Sequence, residues 1–449
     1  KITDSPMNRR ILQIAIPSIV SNLTVPLLSM ADTAIAGHLD SASCIGAIAL
    51  GSMMFSMVFW LFGFLRMGTG GLTAQACGAG NREECFAVLA RALSLALVIG
   101  LLIVALQRPI LDVTFRFVTV SAATAPLVRD YFTILVWGAP AVLSVYGFCG
   151  WFLGMQDARS PMVLSIFQNL LNVLLSLVLV FGFLCVVSGI ALGTLCSQCA
   201  GVLLAVLLFR CRHGDFLRQG GRDLRRRVWQ LFRRREPFLL FFRVNRDIFF
   251  RTLFLVSVTT GFTAFGARLG DTVLAANALL MQYFLFFSYF MDGFAYSGEA
   301  LGGHCFGARR RDEFLCLTKN LFCWGAGLAV FFFVFYGVAG SALLHLFTSQ
   351  SEVIAAASES LPFVWFLPFA GVSAFLFDGL FIGVSATRSM CVSMALAALV
   401  YFLILLLFPL SNSVLWSAFL TYLFVRSFVQ ATLYRKVVAT IPLQAKGNF

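Results

Sequence analysis

One carboxylate lies inside the first long hydrophobic stretch of the chain. Residues Ile11 to Gly37 are apolar except for a few small polar side chains and one full charge, that of Asp32. A carboxylate in hydrocarbon costs about 2.5–3.5 kcal/mol even on a lenient insertion scale. Asp32 is therefore the first candidate for proton or cation binding. The structural alternative is an acid that is paired with a neighbour, or faces a small wet pocket, for packing reasons alone.

Two prolines lie in the same stretch as this acid. Pro17 and Pro26 each remove a backbone hydrogen bond, which favours bending of a helix. The first segment thus combines a buried charge with two positions at which the helix can bend.

Polar side chains in two other hydrophobic segments reach a similar depth. With a rise of 1.5 Å per residue, Asp32 lies roughly 8 Å below the outer end of its segment. Ser176 and Thr194 lie roughly 10 Å below theirs, and Asn172 roughly 17 Å. Asn172 and Ser176 are spaced i, i+4 and share a helix face, with Asn169 close by. Their oxygens suit a cation such as sodium, whereas removal from water favours a protonated acid. A residue of this kind on its own is more often a hydrogen-bonding residue between helices than a ligand, whereas together with the lone acid they form a plausible cation or proton site.

The composition requires a membrane for these segments. The 449 residues are 60% hydrophobic and 12% charged, whereas soluble domains are about 45–50% apolar and about 25% charged. A hydrocarbon core needs about 20 apolar residues per helix. This rule predicts twelve spans: Ile11–Gly37, Ile45–Leu65, Phe86–Leu106, Tyr131–Phe152, Met162–Phe183, Val187–Leu208, Ile248–Gly266, Leu274–Tyr296, Leu315–Val338, Leu361–Ile382, Val392–Phe408 and Val414–Tyr434.

Basic residues are unevenly distributed between the predicted loops, and this bias sets the orientation. With the N-terminus inside, twelve arginines from Arg210 to Arg246 fall on the inner side. The outer segments carry only Arg108, Arg116, Arg129 and Arg268. Both termini are therefore expected in the cytoplasm. We expect the loop of residues 210–246, with its run RRRVWQLFRRRE, to form a short helix on the anionic inner leaflet rather than to bind nucleic acid.

The two halves of the chain repeat. GWFLGMQDARSPM from Gly150 aligns with GLFIGVSATRSM from Gly379 at an offset of 229 residues, and Asp32 then aligns with Gly261. Each half holds six spans, so both enter the membrane from the same side, as in transporters with parallel repeats. We expect an N-lobe (1–209), a basic cytoplasmic inter-lobe loop (210–247), a C-lobe (248–436) and a cytoplasmic tail (437–449).

The second half has intramembrane acids of its own. Asp292 and Glu299 are seven residues apart and share a helix face, where Arg66 is a conceivable partner in a gate or interface salt bridge. Asp378 lies near the inner end of its span, where water is expected to reach it. Arg251 and Arg426 are expected to extend toward the inner surface. These acids are secondary candidates.

Several activities lack the residues that they need. The glycines after the second span have no GK[ST] to complete a phosphate loop, and neither HExxH nor GxSxG occurs. We therefore expect a secondary active transporter without a cofactor, not an enzyme or an ATP-driven pump.

The longer motifs resemble a known family over nearly the whole chain. ADTAIAGHL around Asp32, GFLRMGTGGLTAQACGAG, GWFLGMQDARSPM, NLLNVLLSLVLVFGF, GIALGTLCSQ, RDIFFRT, DGFAYSGEALGG and DGLFIG are similar to those of multidrug and toxic compound extrusion (MATE) transporters of the DinF type.

The resemblance implies an all-α, V-shaped protein of two pseudo-symmetric six-helix lobes that exchanges cations for organic substrates. It implies that Asp32 is the protonation or sodium site and that Asn172 and Thr194 accompany it. An aspartate of some relatives is replaced by Ser176, which weakens the case for sodium. A proline at which bending has been proposed corresponds to Pro17.

The sequence thus predicts a monomeric multidrug antiporter of the bacterial inner membrane. It would export organic, cationic and amphipathic compounds in exchange for protons, and protonation of Asp32 would drive release. Sodium at Asp32, Asn172 and Thr194 is the first alternative, and a polyprenyl-lipid flippase is the second. A flippase would need cationic side chains in its cavity, whereas the intramembrane charges visible in the sequence are mainly acidic.

Overall fold

The computed structural model describes residues 6–37, 42–117, 124–183, 186–232 and 235–441; within these ranges the side chains of residues 29–34, 36, 37, 42, 43, 45, 117, 186, 215–229, 231 and 232 lie outside the description. The described ranges are almost entirely helical and contain no strand. Twelve helical segments in them are long and apolar enough to cross a membrane. The predicted all-α membrane fold with twelve spans is confirmed.

The chain forms helices because a bilayer interior offers no partners to backbone polar groups, which a helix satisfies within its own segment. The helices are α1 (Pro6–Gly37), α2 (Ala42–Leu61), α3 (Phe64–Gly78), α4 (Arg82–Ala105), α5 (Gln107–Phe117), α6 (Thr124–Leu135), α7 (Ala139–Gly154), α8 (Arg159–Leu177), α9 (Val186–Phe232), α10 (Arg235–Ala267), α11 (Asp271–Gly307), α12 (Arg311–Phe347), α13 (Ser351–Gly383), α14 (Thr387–Leu407) and α15 (Asn412–Ala439). A 3₁₀ turn (Val136–Gly138) joins α6 to α7, and a π-helical turn (Val178–Gly182) follows α8.

Several helices extend beyond the predicted spans. The predicted sixth span ends at Leu208, but α9 continues to Phe232, and α10 begins at Arg235 rather than at Ile248. Much of the expected loop is therefore helical. The apolar run marks only the part of a helix that lies in hydrocarbon, whereas backbone hydrogen bonds continue through charged residues. The second predicted span is divided, because α2 ends at Leu61 and α3 begins at Phe64.

Contacts between helices divide the chain into two compact units. One unit comprises residues 1–19, 74–80 and 243–449, and the other comprises residues 20–73 and 81–242. The division falls inside α1, between Ile19 and Val20, two residues after Pro17. The lobe boundaries given above remain a prediction.

The backbone supports the internal repeat. Gln156 and Ser385, which are 229 residues apart, both have positive φ, at 62° and 56°. Gly80 and Arg309, at the same offset, have φ of 69° and 59°. Left-handed residues are uncommon outside glycine, so their recurrence at one offset shows that both halves end corresponding helices in the same way.

The unit that contains α4, α7 and α9 packs around Trp151. This side chain is fully buried, and its Nε1 donates a hydrogen bond to the carbonyl oxygen of Cys85 over 2.8 Å. The rings of Phe86 and Phe209 lie 6.0 and 5.1 Å from the indole ring. This core fixes the beginning of α4 against the middle of α9 and the end of α7.

The unit that contains α11, α13 and α15 is joined by a chain of neutral hydrogen bonds. Asn277 donates to Oδ1 of Asn412, and Asn412 donates to Oγ of Ser360, both over 2.8 Å. Trp416 Nε1 donates to Oδ1 of Asn277 over 2.8 Å. Each amide both donates and accepts, so the three helices are held in register.

Candidate functional site

The backbone of Asp32 lies in α1, five residues before the end of that helix. Its side chain lies outside the described residues. Pro17 and Pro26 are half-buried and lie inside the same helix, which continues from Pro6 to Gly37.

Asn172 and Thr194 are brought together, although the depth estimate placed Asn172 about one turn below Thr194. Nδ2 of Asn172 in α8 donates a hydrogen bond to Oγ1 of Thr194 in α9 over 2.9 Å. The Thr194 hydroxyl donates to the carbonyl oxygen of Ile190 over 2.9 Å. Thr194 is thereby fixed as an acceptor toward α8, and Asn172 is fixed with its amide nitrogen toward α9.

Ser176 lies against the same helix, one turn further along α8. It is fully buried, and its Oγ lies 2.8 Å from the point where a Cβ at Gly193 would be. The backbone nitrogen of Ser176 is 2.9 Å from that point. A side chain at residue 193 would therefore separate α8 from α9, and the absence of one permits the close contact. We refer to Asn172, Ser176 and Thr194 as the α8–α9 cluster.

Two oxygens of the α8–α9 cluster are unused. Asn172 Oδ1 and Ser176 Oγ are buried and have no hydrogen-bond partner within the described part of the chain. A buried polar atom without a partner costs about 1–3 kcal/mol. Such atoms indicate a ligand, a water molecule or a further side chain, and a carbonyl oxygen beside a hydroxyl suits a protonated carboxyl or a small cation.

Asn169 connects α8 to the first helix. Its Nδ2 donates to the carbonyl oxygen of Thr24 in α1 over 3.2 Å, and Thr24 Oγ1 lies 2.9 Å from Oγ of Ser165. Sequence reasoning missed Thr24 and Ser165. The spacing of Ser165, Asn169, Asn172 and Ser176 (i, i+4, i+7, i+11) is one polar stripe of α8 and is the signal that identifies Ser165.

In the second half, Asp378 is buried among donors from two other helices. Arg251 in α10 and Arg426 in α15 both donate to its Oδ2. Gln430, one turn after Arg426, donates to its Oδ1 over 2.5 Å. We refer to these four residues as the Asp378 cluster. The expectation of an open, water-exposed acid is corrected, because the two arginines point at the carboxylate instead of toward the surface.

The other two acids of the second half lie on α11. Glu299 is buried, whereas Asp292 is half-buried. Arg66 belongs to the other compact unit, so a pair between Arg66 and either acid stays a prediction. Between these two acids, Ser297 Oγ donates to the carbonyl oxygen of Ile11 in α1 over 3.0 Å.

A third polar cluster lies outside the membrane spans, in the turn between α7 and α8. Asp157 accepts hydrogen bonds from the Ser160 backbone nitrogen (3.1 Å), from the Ser160 hydroxyl (2.5 Å) and from Arg212 in α9 (2.8 Å). Nε2 of His213 is 3.6 Å from its Oδ2. Burial raises the pKa of Asp157, but the contacts with His213, Ser160 and Arg212 outweigh it and hold that pKa below its usual range.

These features define a class of protein. Twelve apolar helices are arranged as two repeats, and the described residues contain no group of three His, Cys, Asp or Glu side chains able to hold a metal ion. Buried polar clusters with unused hydrogen-bonding capacity lie between helices in each half. This is the architecture of a multi-pass transporter with parallel repeats.

The family model MatE matches residues 17–178 and 248–423, so the chain belongs to the MatE family of multidrug efflux transporters. Members of this family are secondary transporters and not enzymes. The chain is 38% identical over 433 residues to DNA damage-inducible protein F of Escherichia coli (strain K12), an alignment that covers 96% of this chain and 92% of that protein.

Two further similarities extend this result. The chain is 27% identical over 220 residues to a probable multidrug resistance protein NorM of Thermotoga maritima, covering 48% of this chain and 47% of that one. It shares its fold with a solved structure of a multidrug resistance MATE family transporter of the MOP superfamily in an outward-facing conformation, with a TM-score of 0.81 at 18% identity. That match covers 98% of this chain and 97% of the other.

Proposed function

We propose that this protein exports organic compounds, cationic and amphipathic ones among them, in exchange for protons. It would lie in the bacterial inner membrane with both termini in the cytoplasm. Asp32 takes a proton from outside, and the α8–α9 cluster sets the surroundings in which the proton is held. The observation that carries the proposal is the pair of unused buried oxygens, Asn172 Oδ1 and Ser176 Oγ.

These two atoms suit a group that changes protonation. An amide oxygen accepts a hydrogen bond from a protonated carboxyl, whereas a serine hydroxyl can also donate to an ionised one. The hydrogen bond from Asn172 to Thr194 fixes which end of the amide is free. The cluster can therefore stabilise either form of a carboxyl without rearranging, which a residue that exchanges protons in every cycle requires.

Exchange further requires that a bound proton lowers the affinity for cargo and that bound cargo lowers the affinity for the proton. Such coupling is reciprocal, because a proton that weakens cargo binding must itself be bound less tightly in the presence of cargo. Neutralising Asp32 removes the attraction for a cationic cargo and lowers the cost of burying the side chain in hydrocarbon. Pro17 and Pro26 give α1 two positions at which it can change direction in response.

Sodium coupling is the second candidate, and the same two oxygens favour it. Asn172 Oδ1 and Ser176 Oγ are hard oxygen donors of the kind that alkali and alkaline-earth cations prefer. Only one carboxylate, that of Asp32, would accompany them. A site of this kind has a single negative charge, which a proton neutralises as fully as a sodium ion does.

Transport into proteoliposomes with independently imposed pH and sodium gradients tests the proposal. An exchange of one proton for one cargo molecule sustains about tenfold cargo accumulation per pH unit, since one unit is worth about 1.4 kcal/mol. We expect wild-type protein to reach this level with a pH gradient alone, and Asp32→Asn to abolish gradient-driven accumulation. Ser176→Asp is expected to make transport sodium-dependent.

A charge-neutralising variant at another acid is the matched control. Glu359→Gln changes an exposed residue of α13 and should leave accumulation unchanged. Full accumulation by Asp32→Asn at an imposed pH gradient would overturn the proposal. Accumulation by wild-type protein that follows the sodium gradient at constant pH would replace the proton by sodium.

A further inference from the structure

The Asp378 cluster carries a net positive charge inside the second half. Two guanidinium groups, of Arg251 and Arg426, meet one carboxylate, so two positive charges and one negative charge leave one positive charge. The nearest further acid along α10 is Asp247, one turn before Arg251, which is paired with the exposed Arg246 at 3.0 Å and accepts a hydrogen bond from Thr387 over 3.2 Å. A buried charge of this kind costs several kcal/mol unless it is compensated.

The cluster also has more donors than acceptors. Nε of Arg251 and Nε of Arg426 are buried and have no hydrogen-bond partner in the described part of the chain. Asp378 already accepts from three side chains, and its Oδ2 receives both arginines. Guanidinium groups with free N–H donors are the usual recognition element for carboxylate and phosphate.

The three charged side chains of the cluster are not equally enclosed. The Arg251 side chain keeps 10% of its surface exposed and that of Asp378 keeps 8%, whereas Arg426 keeps 3%. Arg251 is thus the member of the cluster that its surroundings enclose least.

The first half has no counterpart to this charge. At the repeat offset of 229 residues, Arg251 corresponds to Asn22, Asp378 to Cys149 and Arg426 to Ser197. Conversely, Asp32 corresponds to Gly261, and Asn172 corresponds to Tyr401. The two halves thus present polar groups of opposite net charge at different positions of one repeated fold.

We infer that the Asp378 cluster binds a negatively charged group of the exported compound, a carboxylate or a group of similar chemistry. Arg251 and Arg426 are the binding residues. Asp378 positions both guanidinium groups and lowers the net charge of the cluster. This inference rests on the proposed function and refines its substrate class. Compounds that carry an acidic group beside their cationic group, that is zwitterions, are preferred over compounds that are only cationic.

A pair of dyes that differ by one ester tests the inference. One is a zwitterionic xanthene dye with a free carboxylate, and the other is its methyl ester, which is a cation only. Fluorescence anisotropy with purified protein, without any gradient, gives the dissociation constant of each dye. The quantity compared is the ratio of the two constants, which cancels losses of folded protein and changes common to both dyes.

A series of variants changes the cluster charge in both directions. Arg426→Gln lowers it to zero and is expected to reduce the preference for the zwitterion about tenfold, which is the loss of one charge-assisted hydrogen bond. Asp378→Asn raises the charge by one and is expected to increase the preference. The double variant Arg426→Gln with Asp378→Asn restores one positive charge and is expected to return the preference toward that of wild type.

Arg435→Gln is the matched control, since it removes one arginine from α15, the helix of Arg426, outside the cluster. Arg435 is exposed, and its loss should leave the ratio unchanged. The inference would be overturned if Arg426→Gln and Asp378→Asn changed the ratio in the same direction, or if neither changed it. Either result would show that the ion pair is purely structural. If either single variant fails to fold, Arg251→Gln and the double variant carry the same test.

Two further experiments distinguish binding of the cargo carboxylate from binding of a free anion, and distinguish failure of this inference from failure of the proposed function. Replacing chloride by gluconate at constant ionic strength shows whether a free inorganic anion competes for the cluster. Competition by chloride at physiological concentration, with equal binding of the two dyes, would assign the site to chloride and overturn the cargo assignment. Asp32→Asn is expected to abolish accumulation of both dyes while keeping the equilibrium ratio, so failure of the proposed function is distinguishable.

Discussion

The α8–α9 cluster and the Asp378 cluster are built on opposite principles. Asn172, Ser176 and Thr194 are neutral, and two of their oxygens lack partners in the described part of the chain. In the Asp378 cluster the acid is the satisfied member, because it accepts from three side chains of two helices. Unused neutral oxygens suit a group that gains and loses a proton, whereas the Asp378 carboxylate already accepts hydrogen bonds from two guanidinium groups.

The difference separates two tasks that one repeated fold can perform. A carboxyl that is to be neutralised in each cycle must not be locked by a neighbouring cation. A carboxylate that organises cations must not be neutralised. Under the proposed function, the duplicated chain avoids the conflict because these arrangements lie in different halves. We therefore expect variants of the second half to alter stability and cargo choice, and variants of the first half to alter coupling.

The largest effect on stability is expected from Asp378→Ala. The change leaves Arg251 and Arg426 buried side by side without their acceptor, and an uncompensated buried charge of this kind costs about 3–5 kcal/mol. Reversible unfolding in detergent measures the loss. Glu313→Ala is the control, since Glu313 forms a half-exposed pair with Arg310 and is worth at most about 1 kcal/mol. Equal losses from the two variants would contradict the role of Asp378.

A smaller loss is expected from Gly193→Ala in the first half. The added methyl would lie 2.8 Å from Ser176 Oγ and 2.9 Å from its backbone nitrogen. Overpacking of this kind costs about 1–3 kcal/mol, because α8 and α9 must move apart. Gly327→Ala in α12 is the matched change: a methyl there meets nothing within 4 Å, and we expect it to stabilise by about 0.5–1 kcal/mol. Stabilisation by Gly193→Ala as well would show that α8 and α9 accommodate the methyl group without strain.

Much of this fold could be predicted from the sequence, because the length of each apolar run is dictated by the membrane. The depth argument placed Ser176 level with Thr194 and Asn172 about one turn deeper, so it did not single out the hydrogen bond between Asn172 and Thr194. The ends of the helices could not be predicted in this way. α9 continues past Leu208 to Phe232 because charged residues end hydrophobicity without ending backbone hydrogen bonding.

The Asp378 cluster lay beyond sequence reasoning for a different reason. Arg251 precedes Asp378 by 127 residues and Arg426 follows it by 48, with no local pattern linking the three. Each looked like a charge near a helix end that could reach water. Only the tertiary arrangement, in which α15 packs against α13 and Arg251 reaches across from α10, directs both arginines to one carboxylate. Pairings between distant helices are set by tertiary structure, and hydrophobic periodicity does not predict them.

The turn between α7 and α8 provides a pH-dependent contrast between the halves. Asp157 corresponds to Ala386 in the second half, which has no acid there. Because the folded pKa of Asp157 is depressed, its contribution to stability is complete above its unfolded pKa of about 3.9 and is lost as the pH falls through the lower folded value. Asp157→Asn is expected to cost about 1–2 kcal/mol above pH 5.

Unfolding measured from pH 3 to pH 8 checks this dependence. The difference between wild type and Asp157→Asn should shrink below about pH 4. Glu359→Gln, at an exposed residue of α13, should show no such change. A difference that is independent of pH down to pH 3 would mean that the carboxylate charge adds nothing to the link between this turn and Arg212.

The smallest effect on stability is expected from Ser176→Ala, and this variant separates coupling from folding. The lost hydroxyl has no partner in the described part of the chain, so its removal is expected to change stability by less than about 0.5 kcal/mol. A hydroxyl that donates to the ionised form of Asp32 would favour that form, and its loss should raise the pH midpoint of export by about one unit. Ser197→Ala is the opposite control: Ser197 donates to the Thr194 carbonyl oxygen over 2.8 Å, so its loss should cost about 1 kcal/mol without moving the midpoint. A midpoint that moves with stability in both variants would show that the unused oxygens of α8 serve packing rather than proton exchange.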